Sequence, residues 1–363
     1  MTQPARVSLV VPRLDAKPWG GRGLERYGLD LPAGEKIGEA LVTAGEAVIT
    51  AGDGAGRTID ALVREDPAGR LGARGHAAVS ERDTFPLLVK LIDAAENLSI
   101  QVHPDDDGAR PLDRLGKTEA WYVLDAAPGS KLYLGLRAGA GFENFSAAAQ
   151  KLDGSSAAYL RAIDAAPGMT VLIPAGTVHA LGAGVMVYEI QQPSDVTFRL
   201  DDWGRVDAQG RPREMHLDQG FVATRPELRP ERIDPVPVRD AVASRHLLAA
   251  CRYFALERIS LPAGGSIDAG GAESPQVVTV LSGGASLCGG DDVALTPGSS
   301  GVVWSTSTPA RLTATAPAVV LRAWVPDLAV EVVAPAEQAG AEASAIADLG
   351  GATGDVARVT VGS

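Results

Sequence analysis

Apolar residues in this chain come in short bursts rather than long periodic runs. The bursts at 7–11, 40–43, 87–91, 98–102, 120–124, 131–136, 169–173 and 185–190 have strand length, and each has Gly, Pro, Asn or Asp nearby. Evenly spaced strands of this kind predict a sandwich or barrel. Helical spacing is rarer. Phe145, Ala149 and Leu152 stand at i, i+4 and i+7, a second short piece is expected over 157–165, and 59–64 reads as a helix beside the sheet. Helices set among strands without strict alternation argue against a doubly wound fold.

The pattern changes near 225–240, where Arg225-Pro226-Glu227-Leu228-Arg229-Pro230, Pro235 and Pro237 read as a stiff connector. Strand-length bursts resume at 253–259, 276–281, 285–288 and 319–324. The expected organisation is mainly β in two parts: 1–240, with a small helical insertion near 142–165, and 241–333. An Ala/Gly-rich tail, 334–363, is expected either to fray or to lay a thin strand, 356–361, on the body.

Composition narrows the partners. The 363 residues exceed the usual span of one hydrophobic core. With 33 Lys+Arg against 45 Asp+Glu the net charge is −12, which disfavours nucleic acid and anionic membranes while leaving room for a small basic pocket. No apolar run approaches the roughly 18 residues of a membrane span, and the first residues do not read as a signal peptide. Cys251 and Cys288 sit in no CxxC or Cys/His cluster, so a reduced, cytoplasmic chain is expected.

Two of the five histidines have informative neighbours. Gln101 and His103 are two apart on a strand and so face the same side. Glu119 opens a strongly apolar strand, and His179 follows the turn Pro174-Ala175-Gly176. Two imidazoles, a carboxylate and an amide oxygen make a donor set suited to a divalent metal, Zn²⁺ at a position left open for substrate. Gly168, Pro174, Gly176 and His179 resemble the second motif of the cupin barrels, and Gln101 and His103 with the later Glu119 resemble the first. His76, His216 and His246 are assigned no role. Leu115-Gly116-Lys117-Thr118 imitates the end of a phosphate-binding loop, but Pro111 stands where the first glycine belongs, which excludes an NTPase.

Four blocks extend the likeness: Lys17-Pro18-Trp19-Gly20-Gly21 with Ile37-Gly38-Glu39; Phe85 to Lys90 running into Ser99-Ile100-Gln101-Val102-His103-Pro104-Asp105; Gly116 to Glu119; and Pro174 to Arg205. They resemble the type I mannose-6-phosphate isomerases in their compact bacterial form. The resemblance implies a double cupin, two jelly-roll barrels, with the metal in the first and a degenerate second one. It implies Gln101, His103, Glu119 and His179 as ligands of one Zn²⁺ per chain. Arg199, Lys117 and Lys90 match catalytic and pocket cations, and Ser99, Lys90 and Arg199 are expected to touch a sugar phosphate. The expected reaction interconverts mannose 6-phosphate and fructose 6-phosphate in a monomer or homodimer. Lys117 and a metal-bound water compete as the base. A non-catalytic bicupin that binds sugar phosphate is the alternative function, and an iron dioxygenase is a third reading, disfavoured by the amide ligand.

Overall fold

The computed structural model describes residues 5–206 and 209–360. Three antiparallel sheets carry the fold. A seven-stranded sheet runs in the order Arg232–Ile233, Thr170–Ile173, Glu119–Ala126, Val185–Gln191, Leu88–Ala94, Ile37–Leu41, Arg13–Gly21. A five-stranded sheet runs Phe198–Asp201, Ile100–Val102, His179–Leu181, Lys131–Leu136, Leu160–Asp164. Trp121, Val123, Leu132, Leu134, Val171, Leu181 and Val187 from the two sheets share one buried cluster, so alternate residues of each strand fill a barrel interior. The remaining ten-stranded sheet holds the strands after Val236.

Two strands cross the division expected near residue 240. Val7–Val11 pairs with Ser300–Val303 on one side and with Val48–Gly52 on the other, so the start of the chain is sewn into the C-terminal sheet. The connector is also partly ordered: Pro237 lies opposite His246 in an edge strand, where its missing N–H is tolerated.

The helices differ from expectation in three places. The helix at 59–64 is found as Ile59–Glu65, capped by the Thr58 side chain, but Pro67–Ala78 follows it and was not foreseen. Its three glycines mask the helical signal, and Gly72 breaks the helix at φ 67°. The expected helix over 157–165 is a short 3-10 turn, Ser155–Tyr159, followed by a strand, Leu160–Asp164, paired with Lys131–Leu136. Cross-strand pairing overrides the local Ala-rich propensity there. The tail neither frays nor forms a strand over its described part. It folds as helical segments including Ala334–Gln338, Ala343–Asp348 and Asp355–Thr360; residue 361 lies outside the described residues. Val332, Val333, Ala336, Ile346, Leu349 and Val356 are buried in the main core, which explains why an Ala-rich segment is ordered. No helix among the described residues is long and apolar enough to cross a membrane.

A chain ended at residue 240 leaves Val7–Val11 without its Ser300–Val303 neighbour and uncovers a large apolar face. It is expected to be insoluble or to lose cooperative unfolding, measured by circular dichroism on heating. A soluble fragment with a sharp transition contradicts this account of the sheet.

Candidate active site

Register places the polar side chains in two facing rows. In the five-stranded sheet, Gln101 lies directly between His179 and Arg199. In the seven-stranded sheet, Glu189 lies directly between Lys90 and Trp121. Cross-strand partners point to one face, so each row presents its polar groups together. His103 follows Gln101 at the strand's end, and Glu119 opens the strand that carries Trp121.

At the meeting of the rows, one ligand atom from each of His103, Glu119 and His179 falls within 4.8 Å of the others, and all three residues are buried. His103 Nδ1 donates to Val196 O and His179 Nδ1 to Thr177 O, both at 2.9 Å. These bonds fix the tautomer and leave each Nε2 lone pair facing inward. The Nε2 atoms lie 3.5 Å and 3.3 Å from the two oxygens of Glu119. Burial lowers both imidazole pKa values. Lys117 lowers that of His103 further, and Glu119 partly offsets the effect at His179, so both rings are neutral. The Gln101 amide is 3.5 Å from His103 Nε2 and 3.4 Å from His179 Nε2, and Ser99 Oγ donates to its other end at 3.2 Å.

Glu119 is the anomaly. It is 0% exposed and neither carboxylate oxygen accepts a hydrogen bond from any described residue. Lys117 Nζ stands 2.9 Å from Oε2, but off the angle a hydrogen bond needs, and 3.0 Å from His103 Nε2. A buried carboxylate without donors is costly unless a cation sits on it. The donor set of neutral imidazoles, carboxylate and amide therefore fits a divalent metal.

A cleft of about 380 Å³ opens beside this cluster and is lined by Lys90, Ser99, Gln101, Lys117, Glu189 and Arg199 among others. The structure thus gathers the eight residues singled out from sequence around one site. Arg199 is not paired to Asp201 or Asp202. Its Nη1 donates to Glu214 O at 2.6 Å and its buried Nε has no partner among the described residues. Burial and the nearby Arg213 lower its pKa, and the carboxylates of Asp202 and Glu214 offset this in part. Asp202 is instead taken by Arg205 and Arg213.

Sequence reasoning missed Glu39 and Glu189. Lys90 Nζ lies 3.2 Å from Glu189 Oε2 and 3.6 Å from Glu39 Oε1, Lys17 lies 2.9 Å from Glu39, and Trp121 Nε1 donates to Glu189 at 3.0 Å. Burial alone pulls the Lys90 pKa down, but Glu189 and Glu39 outweigh it and raise the pKa above the ordinary lysine value. Both ion pairs favour the protonated form of Lys90. Both acids sat inside quoted blocks, Ile37-Gly38-Glu39 and Glu189-Ile190-Gln191, and two-residue alternation from Gln191 was the signal that could have placed Glu189 on an informative face.

The family model described as phosphomannose isomerase type I, catalytic domain, matches residues 10–126. A mannose-6-phosphate isomerase of Bacillus subtilis is 32% identical over 257 residues, spanning 69% of this chain and 78% of that protein. The chain belongs to the type I mannose-6-phosphate isomerases. A probable mannose-6-phosphate isomerase from the same organism is 36% identical over 228 residues, 61% of this chain and 68% of its own length. The crystal structure of a Bacillus subtilis mannose 6-phosphate isomerase superposes with a TM-score of 0.76 at 27% identity, covering 88% of this chain and 99% of that one. A zinc-bound mannose 6-phosphate isomerase shares the fold at a TM-score of 0.68 and 17% identity, with the same coverage. As a mannose-6-phosphate isomerase the chain is an enzyme, and its mainly β architecture is that of the family's cupin fold.

Burial raises the Glu39 pKa, but Lys90 and then Lys17 outweigh it and hold the carboxyl at about 2. A depressed carboxyl pKa stabilises the fold fully above the unfolded value of 4.5, and that contribution disappears as pH falls toward about 2. In urea denaturation, the stability gap between wild type and Glu39→Gln is expected to narrow between about pH 6 and pH 3. A gap that stays constant over this range contradicts the pairing.

Proposed function

We propose that this isomerase interconverts mannose 6-phosphate and fructose 6-phosphate by moving a proton between C1 and C2, with one zinc ion per chain held by Gln101, His103, Glu119 and His179. The observation that carries the reading is the Glu119 carboxylate, sealed from water without a hydrogen-bond donor and facing two neutral imidazole lone pairs. Nitrogen and oxygen donors without thiolate suit zinc at a catalytic position. When bound, zinc supplies Lewis acidity toward the sugar's C1 and C2 oxygens.

The chain's own residues do the rest. Lys117, buried beside the cleft, would move the proton: as the neutral amine it takes the C2 proton of the aldose, leaving an enediolate across C1–C2 whose O2 hydroxyl proton passes to O1, and as the ammonium it returns a proton to C1, which leaves a C2 ketone and a C1 hydroxyl. Lys90, held protonated by Glu189 and Glu39, gives fixed positive charge along one wall. Arg199 offers a planar fork to phosphate or enediolate oxygens, and Ser99 is near enough to Gln101 to steady its amide while facing the sugar. Cations in one cleft of a chain of net charge −12 draw an anionic substrate locally.

Chelation is expected to abolish activity in a coupled isomerase assay and added zinc to restore it. His103→Ala and Glu119→Ala should lose both metal and activity, and Gln101→Ala should lose less metal because a neutral amide is the weakest donor. Full metal retention by His103→Ala contradicts the ligand set. Arg199→Lys should keep metal while kcat falls by about 10²–10³, the size expected when a transition-state contact worth roughly 2.7–4 kcal/mol is lost. A raised KM with kcat unchanged would reduce Arg199 to a phosphate anchor, and unchanged kinetics would remove it from the site.

A further inference from the structure

A second cleft, of about 540 Å³, lies where the two halves of the molecule meet, away from the reaction pocket. Tyr122 and the turn at Gly168 contribute one wall, and His246, Leu248 and Arg258 from the C-terminal sheet contribute the other. Tyr122 reaches it because its neighbours Trp121 and Val123 point into the barrel and strand alternation turns the phenol outward.

The polar groups here are short of partners. His246 and Arg258 are direct cross-strand partners on Ser244–Ala250 and Ala255–Leu261, so their side chains stand together on one face. Arg258 makes no hydrogen bond or ion pair with any described residue. This is not the rule in the same sheet: Arg245 and Arg322 both close on the buried carboxylate of Glu257. The Nδ1 of His246 is buried without a partner. Tyr122 is only 8% exposed, and its hydroxyl makes no hydrogen bond among the described residues. Burial raises the phenol pKa while Arg258 lowers it, which places the guanidinium charge close to the hydroxyl. Among the described residues, no carboxylate lines the cleft.

An arginine without a counter-ion, beside an orphaned imidazole nitrogen and the free hydroxyl of a largely buried tyrosine, is the donor arrangement that an oxyanion completes. We infer that this cleft is a second anion site, which takes a phosphate group, free or on a small ester, with Arg258 as the charged fork and His246 and Tyr122 as hydrogen-bonding partners. Guanidinium geometry matches phosphate oxygens in pairs. The site does not depend on the metal or on the isomerase chemistry, so its test is separate from theirs.

The probe is inorganic phosphate, added to the full chain with isotope-labelled histidine. Five histidines give few imidazole signals, and His246→Gln assigns the relevant one. The expected result is a saturable shift of the His246 signal at millimolar phosphate that weakens at least tenfold in Arg258→Gln. The same variant should keep wild-type kcat and KM in phosphate-free buffer. A parallel titration with glycerol 3-phosphate distinguishes the sources: tighter binding than free phosphate marks an ester site, and equal or weaker binding marks a phosphate site. A His246 signal that does not move, moves without saturating, or moves equally in Arg258→Gln overturns the proposal. So does phosphate that shifts only His103 and His179, since it then occupies the reaction pocket alone.

Discussion

The centre of this molecule is a negative charge that its own hydrogen bonds do not satisfy. Glu119 is fully buried, its oxygens accept no hydrogen bond among the described residues, and the groups around it are two neutral imidazoles, an amide and the Lys117 amine. In a low-dielectric interior a carboxylate in that position demands positive charge. The surrounding structure is arranged to hold it there. Backbone carbonyls of Val196 and Thr177 turn the imidazoles, the strand pairing of Gln101 with His179 sets the amide, and Gly116 lets the Lys117 segment pack against Asp105 and Asp106. A Cβ at Gly116 would come within 2.6 Å of the Asp106 nitrogen, so this approach requires glycine.

The two halves handle buried charge in opposite ways. In the C-terminal sheet, Glu257 is also fully buried, but Arg245 and Arg322 close on both of its oxygens at 2.7 Å and 2.6 Å. That pairing is internally complete and needs nothing from outside. The two halves are also tied near the site. Asp106 accepts from Gly116 N, from Gln192 Nε2 and from the Tyr253 hydroxyl of the C-terminal half, joining the segments on either side of the donor cluster to the second sheet. The C-terminal half thus acts as a support for the loop that carries Lys117.

Much of the site was legible because strand spacing carries direction. Gln101 and His103 two apart, Glu119 at a strand start and His179 behind a Pro-x-Gly turn are local patterns, and the structure brings those side chains together. Glu39 and Glu189 were not assigned roles because their importance is cross-strand: it arises from the register that sets Glu189 against Lys90 and Trp121. The strands themselves were largely visible as apolar bursts, Val7–Val11 and Lys131–Leu136 to the residue. What local pattern did not reveal was long-range pairing. Nothing near Val7 shows that its partner is Val303, and nothing in the Ala-rich run after Gly154 shows that Leu160–Asp164 will be claimed by a neighbouring strand. The tail was misread for a similar reason, since its order comes from a core that other segments build.

Anomalous diffraction at the zinc absorption edge, on crystals of the protein grown with zinc, tests the central claim most directly. The expected result is a single strong peak per chain bounded by His103 Nε2, His179 Nε2 and a Glu119 oxygen, at about 2.0–2.2 Å from each, with the Gln101 amide turned to present its oxygen. A chain with no peak at that position, or with its peak bonded to other residues while Glu119 stays uncoordinated, contradicts it.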